Sequence, residues 1–294
     1  MFNYCIVIVT FNRLSLLREC LEHSIEQITR PSSIVVIDNC STDGTREFLD
    51  EFSKTVCDIH IHHMKENIGG AGGFKRGLQA AIEETDADWF MLIDDDAILD
   101  YDCMSQLVPS FDKQIHAYAC VVRTDDEIIT MHRRRNDSPV SISEYSLPSF
   151  NCDLASFCGL MISRLLVSKI GYPQEDYFIW FDDTEYSMRF KQITPIVVRT
   201  DAVLNHKINR RSDKEEINVI SWKNYYGTRN CIHAYKKHKQ WSKFRKAIYF
   251  TVKEIFCQIA KGNVSAVKLY CSALFDAVVN RMGKNSHYLP GVKY

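Results

Sequence analysis

Short β-branched runs that alternate with helix-period segments constrain this chain more than any other feature. Cys5 to Thr10, Ile34 to Asp38, Ile59 to His63 and Trp89 to Ile93 read as strands, and the segments near Leu14 to Gln27, Thr45 to Phe52 and Gly73 to Glu84 carry helical spacing between them. A strand returns parallel to its neighbour only through a crossover of about a dozen residues or more, which a helix supplies. The alternation therefore predicts an α/β fold with a largely parallel sheet covered by helices, whose ligands sit beyond the carboxyl ends of the strands. Polar clusters fall at those ends: Thr10-Phe11-Asn12, Asp38-Asn39, Asn67, and Asp94-Asp95-Asp96.

With 294 residues, 46% of them hydrophobic, the chain can bury one large core, or one core plus a smaller appendage. The eleven cysteines are an odd, irregularly spaced set without a CxxC pair, which argues against a disulfide framework or a structural zinc site and fits a reducing cytosol. MFNYCIVIVTFN lacks the basic start and cleavage site of a signal peptide and reads as a first strand. No apolar run approaches the roughly 18 residues of a membrane span, so any membrane association is expected to be peripheral. From Arg123 to Asn151 the pattern loosens, and Met131 to Asp137 (MHRRRND) reads as a solvated loop. Past Val219, three amphipathic helices are expected to end near Met282. The polar stretch Asn209 to Asn218 places a boundary that divides the chain into 1–212 and 213–294.

Several residue groups carry candidate chemistry. The run from Trp89 to Leu99 drives an apolar strand into three adjacent carboxylates, which repel and resist desolvation. A divalent cation or a polar ligand would offset that cost; the competing reading is an acidic turn in water. Asp38 closes an apolar strand and can accept hydrogen bonds from a nucleobase or ribose, although Asp38 to Thr45 also makes sense as a helix cap. Asn67 to Gly77 brings Gly70 and Gly72 to a helix start, where backbone can approach an anion, or where glycines simply permit close packing. It matches neither GxGxxG nor GxxxxGK[ST]. Asp182, Asp183 and Glu185 follow the apolar run Phe178 to Phe181, a setting for a general base in a partly dry pocket or for ordinary helix-dipole partners. His206 follows a β-type run and can serve as a metal ligand or as a structural histidine.

Taken together and in this order, TFNR (Thr10 to Arg13), IDNCSTDGT (Ile37 to Thr45), NIGGAGGFKRG, IDDDA (Ile93 to Ala97), FDDTEY (Phe181 to Tyr186) and His206 resemble inverting family 2 glycosyltransferases of the GT-A fold over roughly residues 3 to 210. The bacterial galactofuranosyl- and rhamnosyltransferases of surface polysaccharide synthesis are the most similar in these motifs. The NxGGAGGF and DDTEY forms lean towards galactofuranosyl transfer, and Tyr225 to Asn230 (YYGTRN) is similar to a helix of both groups. The resemblance implies a Rossmann-like nucleotide-binding sheet with flanking helices, followed by a C-terminal helical region. It implies that Thr10, Asn12, Asp38 and Asn39 hold base and ribose, that Asn67, Gly70 and Gly72 lie near the donor, and that Asp94 and Asp95 face it as well. Asp94, Asp96 and His206 would ligate Mn²⁺ or Mg²⁺. Asp183 would be the catalytic base, with Trp180, Asp182 and Glu185 orienting or contacting the acceptor. Phe181 stands where galactofuranosyltransferases often carry Trp, with Trp180 just before it.

The expected activity is transfer of a sugar, galactofuranose from UDP-galactofuranose in the first instance, to a hydroxyl of a lipid-linked or oligosaccharide acceptor. Transfer of rhamnose from dTDP-rhamnose and non-catalytic nucleotide-sugar binding are the alternatives. A nucleotidyltransferase would need a basic phosphate-gripping loop near the first strand, which is missing. From Trp222 to Lys253 there is no Asp or Glu, while Lys and Arg recur. That basic region suits either an anionic lipid surface at the inner face of the cell membrane or a dimer contact. Nucleic acid is not an expected partner, because no recognised module accompanies the basic patch.

Overall fold

The computed structural model describes residues 2–108, 112, 114–124, 127–207 and 220–292. The chain divides into two compact units. The first comprises residues 1–68, 73–173 and 186–208, the second 69–72, 174–185 and 209–294. The expected boundary between 212 and 213 lies outside the described residues.

In the first unit every residue of β1 (Tyr4–Thr10) and β2 (Ser33–Asp38) is buried, as their unbroken apolar runs require for strands covered on both faces. With β3 (Ile59–His63) and β4 (Trp89–Asp94) they form a parallel block in the order β3-β2-β1-β4. Helices α1 (Leu14–Ile25), α2 (Thr45–Phe52) and α3 (Gly69–Glu84) make the crossovers. Register brings the polar strand ends level: Thr10 lies beside Asp38, Val9 beside Asp94, and Asp38 beside His63.

Beyond β4 the sheet is mixed, which corrects the expectation of a largely parallel one. β5 is Ala97–Leu99, β6 is Ala117–Arg123 and β9 is Ser149–Cys152, while α4 (Cys103–Leu107) and α5 (Arg164–Ile170) lie in the connections. β11 (Leu160–Ser163) runs antiparallel between β4 and β6, β12 (Ile196–His206) runs parallel to β6, and β5 closes the edge antiparallel to β12. Short β-branched runs report strand formation, whereas strand direction is decided by the partners each strand finds.

α3 begins at Gly69, four residues before the expected Gly73. Glycine disfavours helix, but tertiary packing outweighs that here. A Cβ at Gly73 would stand 2.5 Å from Val9 Cγ1, and one at Gly77 would stand 2.4 Å from Val7 Cγ1, so α3 can lie directly on β1 only with glycine at both positions.

The segment Met131 to Asp137 is not a solvated loop. It contributes β7 (Arg133–Arg135), which pairs with β8 (Ser138–Pro139) just after the segment and with β10 (Leu154–Ala155) to make a small second sheet. Arg133 is completely buried and donates to the carbonyls of Cys120, His132, Cys158 and Gly159. Three consecutive arginines read as surface in a sequence; here the first has carbonyls from two other segments to satisfy.

The second unit is built on α7 (Trp222–Lys237), α8 (Trp241–Ala260) and α9 (Val264–Val278). Ser221 and Asn224 form a reciprocal capping box at the start of α7. The core joins Phe178, Tyr225, Tyr226, Leu269, Ala273 and Tyr288, and Asp276 accepts a 2.7 Å hydrogen bond from Tyr225 Oη. Three helices form as expected, with the last ending at Val278.

Candidate active site

At the carboxyl ends of the first unit's parallel strands the side chains tie one loop to the next. Thr10 Oγ1 donates to Asp95 Oδ2 at 2.7 Å, and the Phe11 amide reaches the same oxygen at 3.3 Å. Asn12, in a left-handed conformation (φ 54°), accepts from the Thr42 amide at 2.7 Å and donates its own amide to Ser41 Oγ at 3.0 Å. Asp38 is fully buried. Its Oδ1 accepts from the Ser41 amide at 2.9 Å, and its Oδ2 lies 2.7 Å from His63 Nδ1, whose Nε2 lies 3.1 Å from Asp50 Oδ1. Asn39 Oδ1 accepts from the Ile68 amide at 2.8 Å, which anchors the turn that carries the half-buried Asn67. These contacts preorganise a polar rim across β1, β2 and β3.

The acidic triplet divides its work. Burial and the adjacent carboxylates push Asp94 up to about 7. Burial pushes Asp95 up to about 6 against the pull of Arg13. Asp96, despite the opposing effect of burial, is held below the usual range by His206 and Arg13. Arg13 Nη1 lies 3.2 Å from Asp95 Oδ1 and also bonds Asp96 Oδ2. Strand pairing of β12 with β5 sets His206 opposite Ala97, so its Nε2 comes within 3.2 Å of Asp96 Oδ1. His132 stands edge-on to His206 with ring centroids 5.3 Å apart, and its Nδ1 lies 2.7 Å from Ser156 Oγ. Burial and Arg133 push His132 down to about 3, which keeps its ring neutral.

The residues expected to hold a divalent cation fit one in their chemistry. A carboxylate and an imidazole are donors that Mn²⁺ accepts. His206 Nδ1 is buried and lacks a hydrogen-bond partner, and Asp96 Oδ1, also buried, has no partner beyond its 3.2 Å ion pair with His206 Nε2. Among the described residues, however, no three His, Cys, Asp or Glu side chains converge as a complete coordination sphere. Asp94 stands near enough to feel the charges of Asp96 and His206 without forming a ready-made triad with them, and Arg13 supplies the positive charge at the pair. A cavity of about 670 Å³ in this unit lies at the opposite end of β4, lined by Trp89, His116 and Arg164 among others, and touches none of these residues.

In the second unit the other acidic group sits where a strained turn enters α6 (Asp182–Phe190). Phe178, Trp180 and Phe181 all adopt left-handed backbone, with φ of 65°, 63° and 72°. Bulky residues held there cost on the order of 1–3 kcal/mol each, and such strain persists only where surroundings enforce it. Asn230 enforces it. Its side-chain amide lies 2.9, 3.0 and 2.8 Å from the carbonyls of Tyr177, Ile179 and Trp180, so two hydrogens serve three acceptors. Arg229, equally buried, donates to Asp176 O at 2.9 Å and to Gly283 O at 2.6 Å, and its Nε holds Asn230 Oδ1 at 3.0 Å. Gly227 accommodates the indole of Trp180, since a Cβ there would stand 2.7 Å from Trp180 Cε3. Trp180 is left 45% exposed.

Gly69 makes a further close approach within this unit. Its φ is +76°, and a Cβ would stand 2.0 Å from Phe178 O, which also accepts from the Ala71 amide at 3.1 Å. Gly70 has open space at its Cβ position, and Gly72 is buried. Asp182 is buried, whereas Asp183 is partly accessible, with its Oδ1 accepting from Thr184 Oγ1 at 3.0 Å. Glu185 is fully buried, and its Oε1 receives Lys237 Nζ at 3.0 Å and His238 Nε2 at 2.9 Å. It anchors α6 to the end of α7.

Residues 5–171, more than half of the chain, match the family model described as glycosyl transferase family 2. The chain belongs to glycosyl transferase family 2. Among curated family 2 relatives, a galactofuranosyltransferase, GlfT1 of Mycolicibacterium smegmatis (strain ATCC 700084 / mc(2)155), is 35% identical over 92 residues, 31% of this chain and 29% of that one. The curated relatives that match do so over less than two thirds of their own length. Solved structures share the GT-A fold. Residues 1–349 of S. aureus TarS, in complex with UDP-GlcNAc, superpose with a TM-score of 0.61 at 14% identity, over 94% of this chain and 81% of that one. The mannosyltransferase PcManGT from Pyrobaculum calidifontis, in complex with GDP-Man and Mn²⁺, gives 0.59 at 17% identity over 94% and 75%.

Sequence reasoning missed four participants in this family 2 chain. Arg13 was legible only as the last letter of TFNR, and its reach to Asp95 and Asp96 depends on the β1–β4 register. His63 pairs with Asp38 because adjacent parallel strands place them side by side, a relation that a separation of 25 residues conceals. Arg229 and Asn230 were visible within YYGTRN, but nothing local tells that their partners lie about fifty residues earlier.

Proposed function

We propose that this chain is an inverting glycosyltransferase that moves a sugar from a nucleoside diphosphate donor to a hydroxyl of a carbohydrate acceptor. The pairing of Asp96 with His206 beside a preorganised polar rim, in a chain of family 2, supports this reading most directly. Thr10, Asn12, Asp38 and Asn39 belong to the rim and are proposed to set the base and ribose. Asp38 acts there with His63, while Asn67, Gly70 and Gly72 serve the donor. Asp94 and Asp95 complete the acidic side of the donor pocket. Mn²⁺ or Mg²⁺, when bound through Asp96 and His206 with Asp94, would supply Lewis-acid relief of charge on the departing diphosphate.

The chemistry asked of the chain itself is a proton transfer. Asp183 is proposed to take the acceptor hydroxyl proton as the oxygen bonds to the anomeric carbon and the bond to the diphosphate oxygen breaks, leaving the product inverted. Trp180 presents an exposed aromatic face suited to the apolar side of a sugar ring. Asp182 and Glu185 act by orienting the start of α6. We propose galactofuranose as the sugar and UDP as its carrier, on the relative named above and on the NxGGAGGF and DDTEY motifs. Rhamnose carried by dTDP is the second reading. The acceptor is proposed to be a lipid-linked or oligosaccharide chain of surface polysaccharide synthesis, met at the cytoplasmic face of the membrane, with the enzyme peripheral to it.

Incubation of the purified chain with Mn²⁺ and UDP-galactofuranose, UDP-galactose, UDP-glucose or dTDP-rhamnose, with and without lipid-linked acceptors, tests the proposal through nucleotide release. Release from one donor that Asp183→Asn abolishes is expected. Tight nucleotide binding without release from any donor would favour the non-catalytic reading.

A further inference from the structure

α8 turns its apolar side outward. Its buried residues are Thr251 and Gln258, while Trp241 is 53% exposed, Tyr249 64% and Phe256 66%. Trp241, Arg245, Tyr249, Val252, Phe256 and Ile259 follow at steps of three or four residues and so share one face of the helix. Lys243, Lys246, Phe250, Lys253 and Lys261 fall on the neighbouring face by the same spacing. Glu254, the helix's one acidic residue, accepts from Gln258 Nε2 at 2.6 Å, towards the buried side. An aromatic row beside a basic row, without a carboxylate in either, is not the outer face of an ordinary surface helix, which is polar.

We infer that this face of α8 is a membrane-surface element that lies in the headgroup plane of an anionic bilayer. The aromatic row matches the headgroup boundary, where Trp and Tyr are favoured, and the lysines complement phosphate charge. Among the described residues no helix is long and apolar enough to cross a membrane, so the contact is interfacial. Charge complementarity selects the bilayer over a second copy of the chain. A two-fold contact would lay the same patch on itself and set the basic row of one copy against that of the other with no acid between them. The inference adds a named surface and a lipid class to the proposed function, and it stands on the helix alone.

Sedimentation with vesicles of phosphatidylcholine and phosphatidylglycerol, against phosphatidylcholine alone, tests it without donor or acceptor. Failure of glycosyl transfer therefore leaves the readout untouched. The full chain is expected to pellet with the anionic vesicles only. Combining Lys243→Gln, Lys246→Gln and Lys253→Gln should weaken partitioning by roughly fivefold per charge, on the order of 100-fold together. Tyr249→Ser with Phe256→Ser should weaken it about tenfold or more. Lys246, Tyr249, Lys253 and Phe256 are exposed and Lys243 is half-buried with its ammonium over the Tyr235 ring, so unchanged thermal melting is the control for folding. The proposal is overturned by absence of pelleting, or by a stable dimer in light scattering whose formation requires Phe256. It is also overturned if the aromatic variant binds as well as wild type, which would make the patch a general polyanion site such as one for nucleic acid.

Discussion

One side-chain amide helps hold the turn in which Phe178, Trp180 and Phe181 take positive φ. Because Asn230 serves three carbonyls of the 177–180 segment, Asn230→Ala should leave buried acceptors unsatisfied and lower stability by about 1–3 kcal/mol, read as a reduced melting temperature. Gly69 is the complementary case. Its positive φ and the 2.0 Å approach to Phe178 O leave no room for a methyl group, so Gly69→Ala should cost about 2 kcal/mol or more in the same measurement. Asp183→Asn separates chemistry from structure. It should lower turnover by about 10²-fold to 10⁴-fold, the scale of a positioned general base, with donor affinity preserved in a titration of nucleotide binding. Full turnover in that variant would remove Asp183 from the mechanism. The sequence marked Asp183 and Gly70 because their neighbours are diagnostic, but it could not rank Gly69 above them, since the clash that demands glycine involves an atom 109 positions away.

Elements formed largely where local pattern said they would, and the exceptions have one origin. α3 starts earlier than helix propensity allows because glycines at 73 and 77 let it rest on Val7 and Val9. β11 interrupts the parallel order because it lies between β4 and β6 and pairs antiparallel with both. The 131–137 segment folds into a small sheet because Arg133 gathers carbonyls of Cys120, Cys158 and Gly159. Arg133→Leu should therefore orphan several buried acceptors at once and cost about 3 kcal/mol or more by denaturant unfolding. An Arg134→Leu control, at a position that is only half-buried, should cost far less.

At the scale of the whole molecule, stability should fall on mild acidification through groups that fold neutral. Burial and nearby Lys237 and Arg229 push His233 in α7 down to about 4, where its Nδ1 lies 2.9 Å from Tyr177 Oη. The unfolded ring takes a proton near pH 6.5 and the folded one does not. Unfolding therefore binds a proton between about pH 6.5 and 4, and stability present above that window is lost as pH falls through it. His233→Gln should flatten this part of a melting-temperature profile; an unchanged slope would show that the ring titrates normally. The sequence alone determined the alternation of strand and helix, the polar residues that close each strand, and the acidic motifs, because each is set by residues within a few positions of one another. Only tertiary structure decided that Arg13 and His206 meet Asp96, that His63 meets Asp38, that Arg229 and Asn230 bind the turn before α6, and that α8 faces outward. Those pairings depend on strand register and helix packing, which bring together residues far apart in the chain and leave no periodic trace in it.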